Sequence, residues 1–486
     1  MTEQLIRPEL MAEIFSERTL LATAPFVALS VGILLLILAE VIPGMRALRK
    51  LLFVGTIGVA GWYAWQTIAS GTETFVFEKT YVANSTTGWW TLLFLASTLI
   101  AWIFGQRYYD KSEALFEGEH DLLLMSAASG MVLMAGSRDL LVFFVGLELL
   151  SVPLYTLSAF RRSRRDSVEA GLKYFMLGAF AAATYLFGAA LIYAGTGSLT
   201  FSSMHPADIG APLVLTGVAL VVSSLFFKVS VFPFHLWVPD VYQGAPAPVT
   251  TFMATGTKAA AFAFLLPTAA ALMPASAKPL VAVIALMTIA AGNFGALVQT
   301  DLKRMLAYSG VAHAGTMLLA IAGMQGDPEV GGATRALLFY MAAYVFTAGG
   351  AFGLLTMLEA QTGRAVTLDS IRGLAKKRPG IAAALAVFML SLGGIPATGG
   401  FLGKYLVFSV AVRSGLVVVA VIGIALSVVA LGYYLRVIIA LYMQPESEKH
   451  PVPATSRMTS SALAFVCVAM VIALGCVPAW FLDNLR

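Results

Sequence analysis

Apolar residues run along this chain in long, nearly unbroken stretches divided by short clusters of charge, glycine and proline. Fourteen of these stretches reach the roughly 20 residues that carry a helix across a bilayer. They lie near 20–42, 51–70, 88–106, 121–137, 139–160, 167–195, 211–235, 245–272, 278–300, 303–324, 333–359, 380–412, 414–443 and 459–483. Barrel strands would alternate polar and apolar residues over about 10 positions, and lipid tolerates no unpaired backbone group, so the stretches are predicted to be helices. Only Ser137-Arg138 separates the fourth from the fifth, and no connection is long enough to hold a soluble domain. The pattern predicts an all-α integral membrane protein of about fourteen transmembrane helices.

Composition agrees with that reading and narrows it. Of 486 residues, 59% are apolar or aromatic and 12% are charged, against about 25% charged in soluble proteins. Cys467 and Cys476 are too few for an iron–sulfur cluster, which takes about four thiolates. Within one helix they would stand ~13 Å apart, beyond disulfide reach. The net charge of +5 hints at nucleic acid only until the basic residues are placed. Eighteen of them fall in the odd-numbered connections, Arg161, Arg162, Arg164 and Arg165 among them, and eight in the even connections and the two ends. The positive-inside rule then sets the odd connections in the cytoplasm and both termini outside, and it removes nucleic acid as a partner. The residues before 20 include four acids and two arginines, unlike the basic start of a cleaved signal peptide, so the first span is expected to be retained.

Five basic residues remain inside apolar stretches: Lys173, Lys228, Lys258, Lys404 and Arg436. A lysine or arginine costs about 2.5–3.5 kcal/mol at a helix centre. Arg436 is close enough to the cytoplasmic end of its span to snorkel. Lys173 has Glu169 one turn before it, which fits a local helix bridge as well as a functional site. Lys228, in VVSSLFFKVSVFPFHLW, and Lys258, in TFMATGTKAAAFAFLL, lie near the middle of their spans. They and Lys404 read either as buried ion pairs that fix helix register or as proton carriers. Desolvation works against an ammonium, so a carboxylate moved toward or away from a buried lysine decides whether the proton stays. Glu148, in LVFFVGLELLSVPLY, is the one acid at the centre of a span. His313, in AYSGVAHAGTM, fits a packing histidine or a relay member. His120, His205 and His450 read as connection residues, and the histidine spacings suit no metal or haem site.

Helix breakers fall beside two of these lysines. Pro233 and the run to Asp240 follow Lys228, and Gly393-Gly394-Ile395-Pro396-Ala397-Thr398-Gly399-Gly400 precedes Lys404. Such clusters mark discontinuous helices, and interruptions at corresponding places in two halves point to inverted repeats. Spans 7 and 12 are five apart, which predicts two inverted five-helix repeats, spans 4–8 and 9–13. The expected division is 1–120 for spans 1–3, 121–272 and 273–443 for the repeats, and 444–486 for span 14. Lys228 precedes its break whereas Lys404 follows its own.

The run FFKVSVFPFHLWVPDVYQGAPAPVTTFMATGTKAAAF resembles the signature of the antiporter-like subunits of proton-pumping NADH:quinone oxidoreductase, respiratory complex I. GLELLSVPLY, DLKRMLAYSGVAHAG and SLGGIPATGGFLGKY match the same family in order, over roughly residues 120–440. Tyr-Gln-Gly-Ala-Pro followed by Gly-Thr-Lys-Ala-Ala-Ala-Phe looks most like its subunit N branch. The chain is expected to lack the long lateral helix of subunit L, and it carries Lys404 where subunit M usually has glutamate. The resemblance implies that Glu148 and Lys228 form the coupled pair of a first half-channel, that Lys258 is a central bridging lysine, and that Lys404 serves a second half-channel leading outward. It also gives Lys173 a counterpart in span 6. It implies no cofactor in this chain, with FMN and iron–sulfur clusters in partner subunits. The partners it implies are other complex I membrane subunits, including a neighbouring antiporter-like subunit and the lateral helix of subunit L, in a bacterial inner membrane. A subunit of a multisubunit cation/proton antiporter shares the same motifs, and a non-conducting scaffold is the reading from another class.

Overall fold

The computed structural model describes residues 13–42, 44–106, 108–109, 117–204, 209–324, 332–446 and 458–485. Arg7, Arg107, Lys111, Lys449, Arg457 and Arg486, which entered the charge count, and His205 and His450 lie outside the described residues. Helices follow the apolar windows in order: α1 Glu17–Val41, α2 Arg49–Ser70, α3 Ser85–Gly105, α4 Glu117–Gly136, α5 Leu140–Ser158 and α6 Arg165–Thr196. The seventh window is split into α7a Pro212–Val229 and α7b Trp237–Gly244. Then come α8 Ala247–Leu272, α9 Lys278–Leu297, α10 Leu302–Ala322 and α11 Ala333–Thr362. The twelfth is split into α12a Pro379–Gly393 and α12b Gly399–Arg413, then come α13 Val417–Tyr442 and α14 Met458–Cys476, and a short helix Ala479–Leu482 follows. Eleven of the described helices are long and apolar enough on their own to cross a membrane. The chain is a multi-pass membrane protein.

Side-chain caps start some of these helices, near where their apolar windows begin. Asn84 and Thr87 close a reciprocal capping box on α3, Asp139 accepts from the Leu141 and Val142 amides at α5, and Asp301 accepts from the Arg304 amide at α10. Each satisfies amide donors that a helix start leaves open. The two broken spans stop in the same way. Ser230 and Gly394 take left-handed φ values of 75° and 82°. The Val231 amide then donates to Phe226 O at 2.9 Å, and the Ile395 amide to Leu390 O at 3.0 Å. This is the six-to-one closure of a Schellman end, and it leaves polar backbone inside the bundle at both places.

Burial grades from the perimeter inward. The apolar window of α8 is wholly buried and those of α10 and α11 are 94% buried, whereas α1, α2 and α13 bury 28%. A helix apolar all round belongs in the interior, and α8 is the one that carries Lys258. Close crossings bring α4 to α5 and α9 to α10. A Cβ on Gly130 would come within 2.5 Å of the Leu150 amide, and one on Gly292 within 2.4 Å of the Ala312 amide, so only glycine lets these backbones pass.

Candidate functional site

Lys228 stands in the last turn of α7a and is 4% exposed. It is therefore at the end of a half-helix and not in the middle of a continuous one. Its Nζ donates to Ser151 Oγ of α5 at 2.8 Å and to Tyr174 Oη of α6 at 3.1 Å. Tyr174 is held by stacking on Trp237, with ring centres 4.7 Å apart, and the Trp237 indole donates to Phe227 O at 3.0 Å. The broken helix thus orients the phenol that receives its own lysine. Glu148, one turn before Ser151, is half-buried, and its Oε1 is enclosed without a hydrogen bond among the described residues. It forms no ion pair with Lys228 there, although the two charges lie close enough to interact.

Lys258 is fully enclosed and directly follows a π-helical turn, Met253–Thr257, within α8. Its Nζ donates to Gly310 O of α10 at 2.9 Å. A Cβ on Gly310 would lie 3.0 Å from that Nζ and 3.0 Å from Tyr344 Oη. The lysine and the phenol therefore flank one glycine. Nearly a turn further along α10, His313 shares Nδ1 with Tyr340 Oη at 2.7 Å and Nε2 with Tyr434 Oη at 3.2 Å. Ser309 Oγ meets the same Tyr434 hydroxyl at 2.5 Å. A cavity of about 10 Å³ is lined by His313, Asn293, Thr316, Tyr433 and Lys404, which is room for about one water molecule. Lys404, in the second turn of α12b, donates from Nζ to Leu392 O at 2.9 Å and Gly393 O at 3.2 Å. Those carbonyls belong to the end of α12a, where intrahelical partners run out.

The structure thus brings Lys258, His313 and Lys404 into one polar file, and it sets Lys228 in a hydroxyl cradle with Glu148 nearby. Lys173 belongs to neither. Its side chain is 44% exposed and pairs with Glu169 at 2.7 Å and with Asp240 of α7b at 3.2 Å.

Comparison with known proteins places the chain in a family. Residues 137–430 match the family described as NADH:quinone oxidoreductase/Mrp antiporter, TM. NADH-quinone oxidoreductase subunit N of Trichlorobacter lovleyi is 37% identical over 90% of this chain and 91% of its own length. The chain belongs to this family. The antiporter-like fold also appears in its solved relatives. A chain of respiratory complex I from Thermus thermophilus is 36% identical, with a TM-score of 0.80 over 94% of this chain and 98% of that one. A chain of the Mrp complex from Dietzia sp. shares the fold at 22% identity and a TM-score of 0.84, covering 96% of both.

Several residues around the buried lysines were not visible in the sequence. Ser151, Tyr174, Tyr340, Tyr344 and Tyr434 all touch or flank the buried lysines and His313, yet hydropathy counts tyrosine as apolar. Their signal was that a buried phenol needs a hydrogen-bond partner. Three readings need correction. Lys303, counted as an orientation charge, is buried and pairs with Glu359 of α11 at 3.1 Å. His120 lies inside α4 and is buried against Tyr109 and Phe160, because α4 begins earlier than its apolar window. Arg436, read as snorkelling, is half-buried and also donates to Leu297 O and Gln299 O at the end of α9, where open carbonyls attract a guanidinium.

Proposed function

We propose that this chain conducts protons outward across a bacterial inner membrane as an antiporter-like subunit of respiratory complex I, driven by NADH-to-quinone electron transfer in other subunits. The observation that carries the reading is the polar file from Lys258 through Gly310 O and His313 to Lys404, enclosed in the most buried part of the bundle. A charged lysine there needs a reason to persist, and alternating amines, phenols and imidazole are groups that accept and donate protons. Charge moved near Glu148 changes the hold of Lys228 on its proton, and the proton passes through Lys258 and His313 to Lys404 and out.

The paired breaks, glycine crossings and capping aspartates support two inverted repeats, 121–272 and 273–443, with spans 1–3 in 1–120 and span 14 in 444–486. Odd connections face the cytoplasm and both termini the periplasm. FMN and iron–sulfur clusters sit in partner subunits, and no cofactor is assigned to this chain. Its partners are other complex I membrane subunits, a neighbouring antiporter-like subunit and the lateral helix of subunit L among them. Lys173, with Asp240, lies on an exposed face suited to receive charge from such a neighbour.

The decisive experiment compares Lys228→Ala and Lys404→Ala complexes, checked for assembly, by proton uptake per NADH in inverted membrane vesicles. Assembled variants that keep the wild-type stoichiometry would overturn the mechanism. Purification with flavin and iron–sulfur subunits is expected; sodium-dependent proton exchange without them would favour a cation/proton antiporter.

A further inference from the structure

Glu359 has no part in the mechanism above, yet it is buried in an ionic cluster at the end of the bundle that carries the basic connections. Its Oε1 accepts from Tyr108 Oη at 2.5 Å, and its Oε2 pairs with Lys303 at 3.1 Å. Lys303 also donates to Ala245 O at 3.1 Å, between α7b and α8. The Arg161 guanidinium stands 5.4 Å from the Tyr108 ring centre, and half-buried Arg161 leads from this cluster to the surface. Tyr108, in the connection outside the spans, has its pKa raised by burial first and by Glu359 second, so it stays a neutral hydroxyl.

From this cluster a stripe of hydroxyls runs inward. Thr356 precedes Glu359 by nearly one turn of α11, and its Oγ1 lies 3.2 Å from Thr251 Oγ1 of α8. Thr255 follows one turn along α8 and meets Ser97 Oγ of α3 at 2.5 Å. Lys258 comes about one turn later. Thr251, Thr255 and Lys258 are all fully enclosed, and the π-helical turn Met253–Thr257 lies between Thr251 and Lys258. Thr251, Thr255 and Thr356 each donate to the carbonyl one turn before them at 2.9 Å, which leaves their lone pairs open along the stripe. Each can accept one proton while donating another.

We propose that Glu359 is the loading acid of a second proton inlet, which feeds Lys258 from the cytoplasmic side along the Thr356, Thr251, Thr255 and Ser97 hydroxyls and bypasses Glu148 and Lys228. In each passage the carboxyl gives its proton inward, with water bridging successive turns, and remains as a carboxylate paired to Lys303. The proton arrives on the Lys258 amine as an ammonium, and one proton from the aqueous side reloads Glu359. The inlet rests on the proposed proton conduction.

The test uses assembled complexes in inverted vesicles with three variants: Glu359→Gln, Glu359→Asp, and the double Thr251→Val, Thr356→Val, which dries the stripe without removing a charge. Lys404→Ala is measured beside them. A positioned acid is worth roughly a hundredfold or more in transfer rate, so Glu359→Gln and the double valine variant are expected to lose the share of proton uptake per NADH that enters by the second inlet, about half, with the Lys228 inlet left working. Glu359→Asp is expected to recover most of it, which a merely structural pair would not require. If Glu359→Gln fails to assemble, the double valine variant decides. Normal pumping in the valine variant together with lost pumping in Lys404→Ala overturns the inlet alone. Normal pumping in Lys404→Ala overturns the conduction reading itself.

Discussion

The two halves of the bundle put different chemistry at the same backbone places. Gly130 precedes Asp139 by as many residues as Gly292 precedes Asp301, and each glycine admits a close helix crossing while each aspartate caps the next helix. Counted from those caps, the place of Glu148 in the first half is held by Gly310 in the second, and the place of Ser151 by His313. The first half thus offers its lysine two neutral hydroxyls and a nearby carboxylate. The second half gives up the carboxylate, and the bare Gly310 carbonyl receives Lys258, a lysine that belongs to the first half's last helix. On the proposed function the halves are not duplicate channels: one would carry the adjustable charge, and the other the conduit.

The largest expected effect comes from the residue that joins them. Lys258→Met is expected to cut NADH-driven proton uptake about a hundredfold, the scale of a lost proton-transfer group. It should leave the melting temperature of the solubilised complex unchanged or higher, because an ammonium in a dry site costs several kcal/mol. Normal pumping there would break the comparison outright. Gly310→Ala tests the substitution of glycine for the acid. Its methyl, 3.0 Å from Lys258 Nζ and Tyr344 Oη, is expected to cost roughly 1–3 kcal/mol of stability by overpacking and to slow pumping, whereas Glu148→Ala leaves the Lys258 site intact. In the first half, Tyr174→Phe and Ser151→Ala each leave the Lys228 ammonium one partner short. Each is expected to cost about 1–3 kcal/mol in thermal or denaturant unfolding. Lys173→Ala should do least, no more than about 1 kcal/mol, since its ion pairs are exposed and screened.

What the sequence made legible was the cost of charge in lipid. Lys228, Lys258 and Lys404 stood out because nothing else in their runs is charged, and the two breaks stood out because glycine and proline cluster there. Glu359 and Lys303 escaped notice for the opposite reason: near the ends of apolar windows, a buried pair looks like two connection charges. The tyrosines escaped because the direction of a phenol hydroxyl is decided by which helix lies across from it. Tyr340 and Tyr344, one turn apart on α11, both aim at His313 or its neighbours only once α10 packs there. The absence of a contact between Glu148 and Lys228 is likewise a matter of side-chain reach across α5 and α7a, which motif order cannot supply.

The π-helical turn before Lys258 has a consequence for register. A turn that holds one extra residue advances everything after it by about 100° around the helix axis, and here Tyr242 and Thr257 supply donors to the Met253 carbonyl. Removing a single residue between 253 and 257 would restore a regular helix, and the same lysine would then turn by about 100° away from Gly310. The irregularity works as an indexing notch: it spends a little helical regularity to aim one amine at the Gly310 carbonyl, and without it that amine would be dialled to the wrong sector.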